Sequence, residues 1–356
     1  MDRKKATLKN VARHAGVSVG TVSSFINGNT KIKEKNANRI QAAINELGYV
    51  PNVLAQNLAK GESKNIMLYM ATEMPISSST WLYGMPAIQG VYSVFEQTEY
   101  YVQISINPIN QPEHNYATIK NLIERHSIDG LLYFSTWSID EQVLKMLEEQ
   151  KFPYVLVGNN NPHTPENDVL VNIPDATAEA VNYLYNLGHR SFGTILGFPN
   201  QIHTKQRLEV FKTEMTKRSL PIDEKFIKTG SFDVSSGFVL MEDMIGNCDD
   251  LPTAIICGND DIACGVIRAA MNHGIKVPDD LSVTGFDGGI ISTISNPTIT
   301  TMSIPTLDLG VTAAKMLLGR LTNNNACAAR EVIKCELVKQ GSSSGPNKSL
   351  NKQLLI

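Results

Sequence analysis

The sequence predicts two architectures in succession: an all-α headpiece at the N-terminus, then an α/β core of two parallel-sheet subdomains. Three observations carry this. Residues 1–62 contain no strand-like run, and their apolar residues recur three or four apart, the spacing of one helix face. From Asn65 onward, continuous apolar segments alternate with amphipathic ones, the pattern of parallel strands buried on both faces with helices between them. Nine such strand segments follow one another, which suggests two sheets rather than one. A chain of 356 residues is long enough for two or three domains.

In the headpiece, "LKNVARHAG" places Leu8, Val11, Ala12 and Ala15 on one helical face, and Gly16 stops that helix. Ser18 is placed to cap a second helix, in which Val19, Val22 and Ile26 recur and which Asn27-Gly28-Asn29 ends. "ANRIQAAINELGY" is a third amphipathic helix, closed by Gly48. Pro51 then breaks the chain, Asn52 can cap, residues 53–60 make two helical turns, and Gly61-Glu62-Ser63 reads as a linker. The boundaries are therefore 1–50 for the headpiece, 51–62 for a short helix and linker, and 63–341 for the core.

In the core, strands are predicted at 65–71, 101–106, 128–135, 153–158, 168–173, 192–197, 253–258, 281–288 and 299–304. Helices fall between and after them at 88–97, 117–126, 140–150, 177–188, 206–219, 236–245, 261–274 and 309–321. The expected division is one subdomain of 63–159 with 290–322 and another of 160–289 with 323–341. The Ser-, Gly- and Asn-rich end, residues 342–356, reads as a flexible tail.

Composition narrows the function classes. Hydrophobic content of 42% and charged content of 19% fit a folded globular protein and exclude a disordered one. No apolar run approaches the ~18 residues of a spanning helix. The basic start "MDRKKATLKN" has no apolar stretch behind it, which argues against a signal peptide and predicts a cytoplasmic location with no membrane partner. The five cysteines (Cys248, Cys257, Cys264, Cys327 and Cys335) are odd in number and form no CxxC pair, so reduced thiols are expected and no metal site. Charge is uneven. Residues 1–62 carry ten Lys/Arg and four Asp/Glu, a net +6, whereas the rest carry 22 and 31, a net −9. A basic head on an acidic body suits either polyanion binding or a solvated charged extension.

"LKNVARHAGVSVGTVSSFING" has the order helix, Gly-containing turn, helix, which is the helix-turn-helix arrangement whose second helix enters the DNA major groove. That second helix carries Ser, Val, Gly and Thr where a solvated helix carries Lys and Glu. A groove about 12 Å wide admits one helix, and small side chains let its backbone approach the base edges. Ser and Thr hydroxyls meet phosphates or bases, and Val19 can meet a thymine methyl. The same residues also suit a plain three-helix bundle with a Ser/Thr surface.

The motifs then become specific. "TLKNVARHAGVSVGTVSSFING", "RIQAAINELGYVPN" and "LAQNLAKG", followed by "IDGLLYF", "NYLYNLGHR", "TAIICGNDDIACGVIRAAMNHGIKVPDDLSVTGFD" and "ITTMSIPTLDLGVTAAKMLLGRL", resemble in order the lactose- and purine-repressor family of bacterial transcription regulators, over about residues 5–344. The resemblance implies a DNA-binding headpiece, a hinge helix over 51–62, and a core like that of periplasmic sugar-binding proteins. It further implies that a small effector binds between the two subdomains and that the protein is a homodimer on double-stranded operator DNA, acting as a repressor. The DNA-contacting set it carries over is Thr7, Ser18, Val19, Gly20, Thr21, Ser23, Ser24 and Asn27, with Asn52, Ala55 and Leu58 in the hinge. Val19 and Gly20 stand where the family's main base readers stand. Ser24 stands where relatives often carry Arg, so a bidentate Arg–guanine contact is missing. Leu58 matches the leucine that wedges into the minor groove, and Asn52 and Ala55 match positions that steady the hinge.

Arg207, Asn259 and Asp287 match three polar cleft positions of the family, and Phe232 matches an aromatic that stacks on the ligand. Their donors and acceptors suit a hydroxyl-rich ligand, a sugar or derivative, with no cofactor besides it. Trp81 and Tyr83 either line the other wall or pack within their own loop. In "VLVGNN", Gly158-Asn159 replaces the Asp-Arg of many relatives, so Asn159 is the acceptor left at that point.

Two other classes are weighed against this reading. A transport sugar-binding protein shares the core, but calls for a signal peptide and no basic head. An enzyme would use Asp260, Asp261 or Asp287, yet Asp260 and Asp261 open a helix, where acidic residues complement the dipole. No nucleophile–base pair, phosphate loop or metal spacing accompanies them, so no enzymatic activity is expected. Within the regulator class, control by a protein corepressor, as in the catabolite-control branch, stays open beside control by a small molecule.

Overall fold

The computed structural model describes residues 6–28, 32–51, 61–72, 80–158, 167–248, 250–322 and 329–346, and in 80–83 the backbone alone. The predicted hinge helix with Asn52, Ala55 and Leu58 lies outside the described residues, as do Asn159, Cys327, the side chains of Trp81 and Tyr83, and residues 347–356.

The headpiece has three helices, α1 (Leu8–Ala15), α2 (Val19–Ile26) and α3 (Glu34–Leu47). Thr7 and Asn10 cap α1 reciprocally, and Gly16 ends it at φ 62°, a left-handed conformation that glycine adopts without strain. Ser18 caps α2 by accepting the amide of Thr21 at 3.1 Å. The core of the unit is small: Val11, Ala12, Ala15, Val22, Ile40 and Ala43 are buried, with Leu8, Phe25 and Leu47 packed around them. Val19, grouped by periodicity with Val22 and Ile26, does not join them. It is 40% exposed while Val22 is 0% exposed.

The core domain holds two six-stranded sheets. The first contains β1 (Asn65–Thr72), β2 (Tyr101–Pro108), β3 (Gly130–Phe134), β4 (Tyr154–Val157), β5 (Asn167–Val171) and β11 (Ala329–Ile333), in the order β2-β1-β3-β4-β5-β11. The second contains β6 (Phe192–Leu196), β7 (Ile227–Thr229), β8 (Ala254–Cys257), β9 (Ser282–Asp287), β10 (Thr300–Ser303) and β12 (Glu336–Val338), in the order β7-β6-β8-β9-β10-β12. All strands are parallel to their neighbours except β12, which runs antiparallel to β10. Helices α4 (Thr80–Phe95), α5 (Pro112–Glu124), α6 (Glu141–Glu149) and α12 (Thr306–Thr322) belong to the first lobe. Helices α7 (Ile173–Asn186), α8 (Ile202–Lys217), α9 (Val234–Asn247), α10 (Asp260–Asn272) and α11 (Ile290–Ile294) belong to the second. Among the described residues no helix is long and apolar enough to cross a membrane.

The predicted division between the lobes needs three corrections. β5, assigned to the second subdomain, pairs with β4 in the first sheet and buries Val169 and Val171 in the first lobe's core. β10, assigned to the first, pairs with β9 in the second sheet, and of its segment only α12 packs on the first lobe. β11, assigned to the second, pairs with β5. The chain therefore crosses between lobes three times, after β5, after β10 and after β11. Short β7, β11, β12 and α11 carry weak apolar patterns and were not expected.

The predicted tail also begins too early. Ser342 is fully buried: its hydroxyl donates to the carbonyl of Val283 at 2.6 Å and accepts the amide of Thr300 at 2.9 Å. The amide of Ser344 donates to Ser282 Oγ at 3.0 Å. These small polar residues have no hydrophobic signal, and they are held by hydrogen bonds of their hydroxyl and backbone groups to the second lobe.

In each lobe, one helix pair is brought together by glycines. A Cβ on Gly90 would overlap the backbone of α12 at Leu307, and one on Gly310 would overlap α4 at Ala87. Gly237 and Gly265 stand in the same relation between α9 and α10.

Candidate functional site

Two separate features carry chemistry. The first is the outer side of α2. Ser18 and Thr7 spend their side-chain oxygens on helix caps, and the Ser18 hydroxyl also lies 2.8 Å from that of Thr21. Val19 and Gly20 are exposed in the first turn; Thr21, Ser23 and Ser24 are half-buried, and Asn27 is exposed at the end. No charged residue occurs in the helix. A Cβ on Gly20 would meet only Ser18 Oγ, at 3.8 Å, and the backbone there is ordinary helix. Nothing among the described residues requires glycine at this position, although it costs the helix about 1 kcal/mol relative to alanine.

The second feature is a cavity of about 190 Å³ between the lobes, at the carboxyl ends of the strands, where ligands of open α/β sheets bind. Arg207, Phe232, Asn259 and Asp287, expected from sequence, all line it. Arg207, on α8, is 5% exposed and lays its guanidinium over the Phe286 ring at 4.1 Å. Asp287 ends β9 with φ 104°, outside the usual range for a side chain-bearing residue. Burial and the neighbouring Asp260 push its carboxyl well up, against the pull of Arg207. Asn259 caps α10: its Oδ1 accepts the amide of Ile262 at 2.9 Å, so its acceptor is committed within the chain. Phe232 lies on glycines. A Cβ on Gly197 would overlap its ring, and one on Gly258 would stand 3.4 Å from it.

Several lining residues were not anticipated: Trp137 after β3, and Phe198, Gln201 and His203 in "GFPNQIH" after β6. Their position after the carboxyl end of a strand is the one sequence signal that marks them. The Trp137 and Phe198 rings are 6.2 Å apart, and Phe198 meets Phe232 edge-on at 5.9 Å. His203 hydrogen-bonds the backbone of Gly158 in the first lobe, while its buried Nε2 has no partner among the described residues. Burial, then the charge of Arg207, hold it neutral with a pKa pushed down to about 3. Asp260, behind Asp287, is pushed up to about 7 by burial, and it accepts the amide of Gly289 at 2.8 Å.

The comparisons with known proteins agree with both features. Residues 7–52 match the bacterial regulatory proteins of the lacI family, and residues 181–343 match a periplasmic binding protein-like domain. The HTH-type transcriptional regulator DegA of Bacillus subtilis (strain 168) is 30% identical over 350 residues, covering 96% of this chain and 99% of that protein. Catabolite control protein A of Priestia megaterium is 27% identical over 312 residues, covering 87% and 91%. The solved lac repressor dimer bound to operator and the anti-inducer ONPF aligns with a TM-score of 0.81 at 25% identity, covering 96% of this chain and 100% of that one. A chain with a capped, uncharged second helix in its headpiece and a two-lobed core thus has full-length counterparts among transcription regulators. The chain belongs to the lacI family of bacterial regulatory proteins and is a DNA-binding regulator of transcription.

Proposed function

We propose that the protein represses transcription as a homodimer on a near-palindromic operator, and that a small polar effector in the interlobe cleft, a sugar or derivative, controls its operator affinity. The observation that carries the DNA-reading part is the α2 face of Val19 and Gly20. It is turned outward, uncharged and small, with a glycine that no contact among the described residues demands. A helix pressed into a groove uses such a face; a solvated helix does not need it. Thr21, Ser23, Ser24 and Asn27 supply hydroxyl and amide groups beside it for phosphates and base edges. Leu58, with Asn52 and Ala55, takes the hinge role, the leucine as a wedge that opens a base step.

The effector part rests on the cavity and its convergent polar groups, Arg207, Asn259 and Asp287. An effector shifts the protein only by its different affinity for two lobe arrangements, typically 1–3 kcal/mol. Induction, in which ligand releases operator, is the direction proposed. The homodimer reading is supported by exposed apolar side chains on α4 and the edge strand β2: Tyr92, Tyr101, Ile104 and Ile106.

In-vitro selection of operators with the full chain tests the core of this proposal. Two half-sites related by a near-palindrome are expected, with a single half-site bound far more weakly. Equal affinity for an isolated half-site, together with a monomer in sedimentation at micromolar concentration, overturns it. Operator affinity that responds only to an added protein partner, and to no small molecule, overturns the effector part in favour of corepressor control.

A further inference from the structure

Beside the cleft lies a second cavity, of about 400 Å³, which shares Trp137 with it and no other described residue. Its first-lobe wall includes Pro112, Tyr133 and Asp140, and its second-lobe wall is Asn200, Ile202 and Lys205.

On the first lobe, two polar groups at this cavity are left over. Tyr133 is 2% exposed, with its ring stacked on that of Tyr69 at 5.6 Å. Tyr69 donates its hydroxyl to Asn115 Oδ1 at 2.6 Å, and Asn115 Nδ2 donates to the carbonyl of Pro108 at 3.0 Å, so that pair is closed on itself. The Tyr133 hydroxyl, by contrast, has no hydrogen-bond partner among the described residues. A buried hydroxyl of this kind calls for one. Burial, then the charge of Asp140, push its pKa up, so it stays a protonated donor. Asp140 caps α6 with Oδ1 alone, accepting the amides of Gln142 at 2.8 Å and Val143 at 3.4 Å, and its Oδ2 has no partner among the described residues.

On the second lobe, α8 begins without a side-chain cap, because Gln201 reaches across to Thr136 instead. Its helical bonds start with the amide of Lys205 on the carbonyl of Gln201 at 3.1 Å, and the amides of Ile202, His203 and Thr204 have no partner among the described residues. The first turn holds no acidic residue, and Lys205 makes no ion pair among the described residues. The positive end of a 16-residue helix and an ammonium thus stand there without an anion. A lone anion would answer them but meet Asp140, and a lone cation would answer Asp140 but meet Lys205. A molecule carrying both charges a few bonds apart matches both walls. Ile109, Pro112, Ile202 and Trp137 supply apolar surface for the remainder of it.

We propose that this second cavity binds a zwitterionic α-amino acid with an apolar side chain. Its carboxylate lies at the first turn of α8 and Lys205, with the Tyr133 hydroxyl donating to it, and its ammonium lies at Asp140 Oδ2. Because these partners belong to different lobes, the bound amino acid favours the present lobe arrangement, whatever occupies the cleft.

Isothermal titration of the full chain tests this. L-Leucine and L-phenylalanine are each compared with the amine that lacks the carboxylate (3-methylbutylamine, 2-phenylethylamine) and with the acid that lacks the ammonium (4-methylpentanoate, 3-phenylpropanoate). At least one of the amino acids is expected to bind at millimolar concentration or below. Its two analogues should bind at least about tenfold more weakly, the worth of one hydrogen bond to a charged group. Asp140→Asn keeps the α6 cap, since asparagine caps as well as aspartate. It should weaken the amino acid about tenfold and leave the acid analogue no weaker. Lys205→Met should likewise weaken the amino acid and leave the amine no weaker. Hydrogen exchange at residues 134–137 and 198–201 should slow when the amino acid is bound. The inference is overturned if neither amino acid binds, if either analogue binds as tightly as its parent, or if either variant leaves amino-acid affinity unchanged. Binding that leaves exchange at both segments unaltered overturns the bridging of the lobes.

Discussion

Gln201 in the second lobe donates a hydrogen bond from Nε2 to Oγ1 of Thr136 in the first, at 2.7 Å. Gln201 precedes α8 and Thr136 follows β3, so the bond spans the cleft beside the Trp137–Phe198 ring contact. Together with the bond from His203 to the backbone of Gly158, it holds the two lobes in this arrangement across the cavity.

Removing that latch should loosen the lobes without unfolding them. Gln201→Ala is expected to shift the balance toward an open arrangement by about 1 kcal/mol, the net worth of one such bond. Hydrogen exchange should rise several-fold at residues 134–137 and 198–201, with the unfolding midpoint little changed. Unaltered exchange at both segments would show that the bond does not hold the cleft.

Gly20→Ala should separate stability from function. The new methyl has room, and alanine favours the helix, so the headpiece should gain up to about 1 kcal/mol. Operator affinity should nevertheless fall, because the methyl stands between the helix backbone and the base edges. A variant that is both more stable and equally tight on operator counts against α2 as the reading helix.

Operator affinity should drop steeply with salt, because the +6 of residues 1–62 displaces counterions from phosphates. A plot of log K against log salt is expected to have a slope of several units in magnitude, and a flat plot would exclude the basic head as the binding element.

Leu58→Ala should weaken specific binding by a few kcal/mol, the scale of the unstacking it drives, while leaving core unfolding unchanged. Circular-permutation gels on operator fragments check the bend. Unchanged bending and affinity would rule out the wedge.

His203 makes stability depend on acid. Its folded pKa, about 3, lies below the unfolded value near 6.5, so its contribution is complete above 6.5 and is lost as pH falls toward 3. The steepest loss is about 1.4 kcal/mol per pH unit. Urea midpoints measured from pH 8 to pH 4 should fall less in His203→Gln, whose amide does not titrate. Identical pH profiles for the two proteins would mean that His203 is not the neutral buried group described here.

Much of the site was legible before any coordinates. Arg207, Phe232, Asn259 and Asp287 come together as their matched positions imply, and the outward Val19 and Gly20 sit in the capped helix that Ser18 announces. The rest of the cleft was not legible, because Trp137, Phe198 and Gln201 belong to loops without periodicity and His203 to the first turn of α8, ahead of the helix's apolar pattern. Their roles depend on which loop of the other lobe they face.

What the sequence determined by itself is local: helix periods and caps in the headpiece, strand–helix alternation from Asn65, and the uneven charge of head and body. These are properties of neighbouring residues, set by side-chain spacing and backbone preference. The tertiary structure decided the long-range matters. It placed β5 and β11 with the first sheet and β10 with the second, drew Ser342 into the second lobe, and separated exposed Val19 from buried Val22. It also brought Asp287 of β9 within electrostatic reach of both Arg207 of α8 and Asp260 of α10. Each of these depends on pairing, burial or charge between residues distant in sequence, and a strand of three to five residues carries too little pattern of its own to name its partner.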